Sequence, residues 1–275
     1  MKRLAIGLVA AVTGILVTLP TASAAINVGL VGDPAASECD PNFDFFATSG
    51  PGGSNPFTIT ETGEITSWTT FASAVPGQRL EMKVFRKVAD PLTFQAVGHA
   101  GPQTLTPGGT AGNTFPASIA VKPGNILGLH NLDDNTHCAV LSPEWAFNMF
   151  DGDLADGQAQ PFTASLGGYP DVQANLVPDN TFRLAKTKRN PRKGNATLTF
   201  DLPNPGTISG SGGGAKVAKS KTVAAGKAKL KVKARGSKSR TLNSDGKVKL
   251  KLQVIYTPTG GDPKAKKLKV KLLKS

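Results

Sequence analysis

The chain of 275 residues is long enough for two domains of ordinary size, and its formal net charge of +13 conceals an uneven distribution. Between Ala25 and Phe182, five Lys and Arg stand against sixteen Asp and Glu, a balance of −11; from Arg183 to Ser275, twenty-five Lys and Arg stand against three Asp, a balance of +22. After the first two dozen residues no segment has the ~18 uninterrupted apolar residues that a membrane helix requires, so no later span is expected.

Lys2 and Arg3, the apolar run Leu4 to Leu19 and the small residues Ala22-Ser23-Ala24 read together as an export signal over 1–24. Gly7, Thr13, Gly14 and Thr18 interrupt the run, which favours a cleaved signal over an anchor. The expected product begins near Ala25 and is secreted or associated with the cell surface. No cysteine follows the cleavage site to carry a lipid, and the terminal KVKLLKS has no sorting signal with a hydrophobic tail. In an exported chain, the pair Cys39 and Cys138 reads as a disulfide. It would close a loop of about 100 residues, contributing about 4–5 kcal/mol on the chain-entropy account. Without CxxC spacing, zinc is a poor alternative.

Residues 25–181 form the acidic module. GEITSWTTFA, RLEMKVFRK, LTFQAVGH and ASIAVKPGNILGLHN alternate apolar and polar residues between Gly, Pro and Asn turns, and Pro123-Gly124-Asn125 marks a tight turn between two strands. DVQANLV (171–177) should bury Val172, Ala174 and Leu176 as a closing strand. No stretch beyond the export signal sustains a helical period. The fold class is all-β, and many short strands joined by polar turns point to a jelly-roll-like β-sandwich.

Several groups in this module are candidate sites. Asp151, Asp153 and Asp156 in DGDLADG offer hard oxygen ligands for calcium, although the spacing departs from the EF-hand pattern and the bidentate Glu is missing. No other cofactor is expected. In HNLDDNTHC, His130 and His137 could face each other across a hairpin and hold a metal with Asp133 or Asp134. Trp68, Trp145 and Tyr169 are candidate sugar-stacking platforms, with a core role for Trp68 as the competing reading. Glu61, Glu64 and Glu144 could supply carboxylates for glycoside hydrolysis, but no spacing singles out a pair. GxSxG, HExxH and P-loop patterns are all missing, so catalysis is not expected.

Residues 182–275 form the basic module. FRLAKTK, ATLTFDLP, TISGSG, KAKLKVKA, KVKLKLQVIYTP and KKLKVKLLK each read as a strand, the count and size of a smaller immunoglobulin-like β-sandwich. Asp-Gly in NSDGK (243–247) predicts a hairpin turn. GSGGG (210–214) reads as a loop inside the domain. Asn195-Ala196-Thr197 matches a glycosylation acceptor by coincidence of sequence.

GNATLTFDLPNPGTISGSG, AGKAKLKVKARG and DGKVKLKLQVIYTPTGGDPKAKKLKVKL resemble a C-terminal module of uncharacterised exported proteins from Gram-positive soil bacteria. ITSW, LEMKVFR, FPASIAVKPGNILGL and the two cysteines resemble its usual N-terminal partner. The likeness spans roughly residues 35–273. It implies a jelly-roll-like module followed by an immunoglobulin-like one and implies no activity. Asn125 stands where that family usually has Asp, which argues against a cation contact at the turn.

The basic strands share one design. Lys227, Lys229, Lys231 and Lys233 alternate with Leu230 and Val232; Lys247, Lys249 and Lys251 with Val248, Leu250 and Leu252; Lys267, Lys269 and Lys271 with Leu268, Val270 and Leu272. Same-face neighbours about 6.8 Å apart repel by about 0.6 kcal/mol in water, whereas burying four aliphatic side chains contributes about 6–12 kcal/mol per strand. A stripe is therefore tolerated without needing a function. A balance of +22 over some 90 residues exceeds what solubility requires. The ten stripe lysines are the candidate binding face for anionic envelope polymers or acidic polysaccharide, or else a dock for the acidic module. Few aromatics and scarce Arg argue against specific nucleic-acid recognition. The leading expectation is a non-enzymatic exported binding or adhesion protein. The alternative is a carbohydrate-binding or carbohydrate-active protein that uses the first module.

Overall fold

The computed structural model describes residues 24–32, 36–89, 91–134, 136–217, 220–222 and 225–275. Residues 1–23 of the expected export signal lie outside the described residues. The strands of the first half are β1 (Ile26–Leu30), β2 (Ala36–Cys39), β3 (Phe43–Ser49), β4 (Gly63–Thr70), β5 (Arg79–Ala89), β6 (Thr93–Thr104), β7 (Thr114–Val121), β8 (Asn125–Asn131), β9 (Thr136–Asp151), β10 (Ala159–Pro161), β11 (Thr163–Pro170) and β12 (Val172–Pro178). Those of the second half are β13 (Arg183–Asn190), β14 (Asn195–Leu202), β15 (Gly206–Ser211), β16 (Ala215–Val217), β17 (Ser220–Thr222), β18 (Gly226–Ala234), β19 (Lys247–Pro258) and β20 (Lys264–Leu273). The protein is all-β, with antiparallel sheets throughout.

In the first half, a four-stranded sheet β1-β12-β4-β7 packs on a larger sheet β10-β6-β5-β8-β3-β9-β11, with β2 paired to β9. The alternation of β5 shows how sequence sets the two faces. Leu80, Met82 and Val84 enter the core between the sheets beside Ile65, Trp68 and Leu176. Glu81, Lys83 and Phe85 turn to the other face of the larger sheet. There Phe46, Phe85, Phe94, Ala96, Leu154 and Phe162 make a second, smaller core. Leu154 and Phe162 belong to the segment that leaves β9 and crosses this face, so the larger sheet is covered on both sides. β12 buries Val172, Ala174 and Leu176 as its alternation predicts, pairing with β1 and β4. Cys39 and Cys138 form the expected disulfide, with Cα atoms 6.0 Å apart and 99 residues between them in sequence.

In the second half, the sheets β13-β14-β18-β16 and β17-β15-β19-β20 enclose one core. Leu198, Phe200, Leu230 and Val232 come from the first of these, and Leu250, Leu252, Val254, Val270 and Leu272 from the second. NSDGK does not make a hairpin turn. Ser237–Asp245 is a helix, α1, that ends at Gly246 in the left-handed region (φ 65°) and carries the chain from β18 in one sheet to β19 in the other. Asp-Gly here is a helix stop, since a glycine just past the last turn satisfies that backbone at no steric cost. Periodicity could not reveal α1, because Leu242 is its one buried residue. Among the described residues, no helix is long and apolar enough to cross a membrane.

The halves meet through a buried amide. Asn204, 0% exposed, donates from Nδ2 to the carbonyls of Thr62 (2.7 Å) and Asp179 (2.9 Å), and its Oδ1 accepts from the Thr62 amide (2.6 Å). Tyr256 Oη donates to the Asn204 carbonyl (2.8 Å), and burial pushes this phenol up to about 12. Asp179 N also donates to Thr62 O (2.8 Å), so a single residue of the basic half fixes two segments of the acidic half.

Candidate polyanion interface and the charge cluster of the first module

The outer face of the larger sheet carries a cluster of ionisable side chains that come from five separate segments of the sequence. β5, β8 and β3 lie side by side, so Glu81 stands opposite His130, and His130 opposite Asp44; Lys83 stands opposite His99 on β6. Gly128 lies between Lys83 and Phe46 in the register, and the space where its side chain would stand is taken up by Phe46 and the Phe85 ring. Lys83 Nζ lies 3.0 Å from Asp44 Oδ1 and 3.2 Å from Oδ2, contacts Asp153 Oδ1, and donates to Leu154 O at 3.0 Å. Lys83 and Asp44 are 1% and 0% exposed, whereas the Asp153 side chain is 57% exposed. Asp44 also accepts from the Leu154 amide (2.9 Å), and His130 Nδ1 lies 2.9 Å from its Oδ1.

This network decides the fate of the DGDLADG loop. Asp153 is held by Lys83, and Asp156 by His99 Nδ1 at 3.0 Å, while Asp151 closes β9 opposite Phe43. Asp44, His130 and Asp153 have the spacing of a metal triad. Lys83 Nζ stands among two of those carboxylates, so an ammonium already supplies the cation that the loop's charge requires. Asp153 and Asp156 thus latch the loop to the sheet, and the three aspartates do not converge as a calcium cage. Desolvation works against the Asp153 carboxylate, but its hydrogen bond and attraction to Lys83 outweigh this and hold its pKa below the ordinary range. The hydrogen bond to Asp156 raises His99, and burial raises Glu81.

The second metal candidate separates. β8 and β9 are not partners, so His130 and His137 do not face each other. His130 belongs to the Asp44 cluster, whereas His137 stacks on Phe71 at 6.2 Å. Asp133 is taken by a two-point contact with Arg79, Nε to Oδ2 at 3.0 Å and Nη2 to Oδ1 at 2.7 Å. That contact lowers the carboxyl's pKa. At the Pro123-Gly124 turn, Asn125 Oδ1 accepts from the Lys122 amide (2.8 Å), so its oxygen serves the backbone.

The aromatic candidates are also redistributed. Trp68 is 0% exposed in the core and offers no face to a sugar. Trp145, 7% exposed, is enclosed by Phe57 and by Tyr169, whose ring centroid lies 4.4 Å away. Tyr169 remains half-buried in a groove of ≈ 230 Å³ between β2, β3, β9 and β11, together with Phe43, Phe147, Met149 and Leu166. Glu61 is buried and raised by desolvation, Glu64 accepts from Ser118 (2.6 Å), and Glu144 is exposed; the three do not gather.

The lysine stripes form as their period predicts, but on two surfaces. Lys227, Lys229, Lys231 and Lys233 lie on β18, where Lys229 and Lys231 stand opposite Thr199 and Thr197. These threonines in turn stand opposite Lys186 and Lys188 on β13. Lys247, Lys249 and Lys251 lie on β19, with Lys249 opposite Lys271 and Lys251 opposite Lys269; Lys267 faces Gln253. The two sheets share their apolar sides, so these rows point in opposite directions. The ten candidate lysines are thus divided between two faces, because β18 and β19 fall on different sheets. All ten stripe lysines are exposed. In this half Arg183 pairs with Asp201, and among the described residues no stripe lysine forms an ion pair with an acidic side chain of either half. Among the described residues, no ion pair holds the basic faces to the acidic module. Phe182, Phe200 and Tyr256 are in the core, leaving no aromatic on either face.

No protein-family model matches the chain, and neither a curated protein nor a solved structure does.

Proposed function

We propose that the protein is an exported, non-enzymatic binding protein whose basic module attaches electrostatically to anionic polymers outside the cell. One observation carries this reading: the ten stripe lysines are exposed and, among the described residues, form no ion pair with an acidic side chain of either module. Repulsion within each row is a cost that counter-ions or a polyanion relieve, and polymer binding releases the small ions already gathered there. Export and the cleaved signal belong to the same reading and rest on residues 1–24.

We further take the first module as jelly-roll-like and the second as immunoglobulin-like. For the second, strand order supports this: labelled in the immunoglobulin manner, β13, β14 and β18 take the places of A, B and E, and β15, β19 and β20 those of C, F and G. The short β16 and β17 occupy the remaining edge positions in exchanged chain order. The burial of Trp68 and Trp145 removes two of the three platforms on which the glycan reading rested.

Co-sedimentation of the chain from Ala25 with purified cell walls over a salt series tests the attachment. Binding should be strong at low salt and fall steeply between about 50 and 200 mM. Absence of binding at low salt, or binding indifferent to salt, would refute it.

A further inference from the structure

We infer that the basic module is bivalent: its two lysine faces hold separate polyanion chains and so cross-link them. This rests on the polyanion attachment proposed above and adds what the fold does to it. Lys186, Lys188, Lys229 and Lys231 cover one outer face, and Lys249, Lys251, Lys267, Lys269 and Lys271 the other. Sheets in a sandwich pack about 10 Å apart, and lysine ammoniums stand several Å beyond each. The two charge layers are thus roughly 20 Å apart, about twice the Debye length of ~8–10 Å. A polymer on one face scarcely feels the other, so occupancy of one leaves the second free.

The chemistry of the faces also selects the polymer. Neither carries an aromatic ring on which a base could stack, and the stripes are lysine, a flexible point charge, with no planar arginine fork among them. The fitting partner is a flexible phosphate polymer without bases. One acidic side chain stands on these faces, Asp201 at the end of the β18 row opposite Lys227, where Arg183 holds it; Asp245 ends α1, and Asp262 lies in the turn before β20.

Long-chain inorganic polyphosphate is the probe, titrated against the chain from Ala25 with two readouts, direct binding and light scattering. Scattering should rise to a maximum near charge equivalence and fall again in excess polymer, while protein alone stays clear. Replacing one face (Lys249→Gln, Lys251→Gln, Lys269→Gln) or the other (Lys186→Gln, Lys229→Gln, Lys231→Gln) should keep binding and abolish scattering. All six positions are exposed and each change removes a charge that repels its neighbours, so an unfolding midpoint no lower than that of the wild type serves as the folding control. Wild-type binding without scattering, or a single-face variant that scatters like wild type, overturns bivalency and leaves attachment standing. Loss of all binding in one single-face variant shows one working face and overturns it too. No binding of the wild type refutes attachment itself, and tighter binding of single-stranded DNA than of polyphosphate overturns the class of polymer.

Discussion

Replacing Lys83 with Met removes the ammonium while keeping most of the volume of the side chain. Asp44, 0% exposed, then keeps the Leu154 amide and His130 but loses its only lysine, and Asp153 loses the partner that draws its loop onto the sheet. Removing one member of a buried ion pair costs about 3–5 kcal/mol, because the remaining charge stays buried without compensation. At about 2–4 °C per kcal/mol for a domain of this size, the unfolding midpoint should drop by about 6–20 °C. Both tryptophans, Trp68 and Trp145, lie in the first module, so their fluorescence during thermal unfolding follows this module alone. Adding Asp44→Leu to Lys83→Met should recover part of the loss, since an apolar pair tolerates the site where a lone carboxylate does not. The reasoning fails if Lys83→Met costs less than about 1 kcal/mol, the range of an exposed pair.

Asn204→Ala should open the junction: at about 1 kcal/mol for each of three hydrogen bonds, cleavage by a protease between Pro178 and Arg183 should accelerate by about a hundredfold. His99 has a folded pKa raised above its unfolded value, so its contribution is fully present below about pH 6.5 and is lost as pH rises through the folded value. The midpoint should therefore decline across that window in the wild type, and a series of unfolding curves for His99→Gln should be flatter. Gly128→Ala should prevent normal folding of the first module, because the added Cβ would meet Phe45 O at 2.4 Å and Phe46 Cβ at 2.8 Å; near-native tryptophan fluorescence would contradict this.

Many strand positions were legible because one side of the strand is buried and the other is wet, and period two records that directly. β12 and β19 follow their written alternation residue by residue. Which strands share a sheet was not legible. Lys229 and Lys249 carry the same signature in sequence, yet they look in opposite directions, because α1 moves the chain between sheets. Likewise, the acidic loop was visible as three carboxylates, but its cation was not, since Lys83 lies 70 residues away on another strand. A lysine inside LEMKVF was the available signal: it sits between Met82 and Val84 where β5 is covered on both faces. Asn204 gave no signal at all, for in sequence it belongs to an ordinary Asn-Pro turn, and its role exists only when Thr62 and Asp179 arrive beside it.

The cross-strand pairs Lys249–Lys271 and Lys251–Lys269 have a thermodynamic corollary. Backbones at such positions are about 4.5–5.5 Å apart, close enough for like charges to oppose folding in dilute buffer. Folded and unfolded chains therefore respond differently to whatever neutralises those rows, and by linkage a polymer that prefers the folded form raises its melting temperature in proportion to RT ln(1 + [L]/Kd). On the proposed attachment, the stability of the basic module is a report on its surroundings, lowest in free solution and highest where anionic polymer is dense.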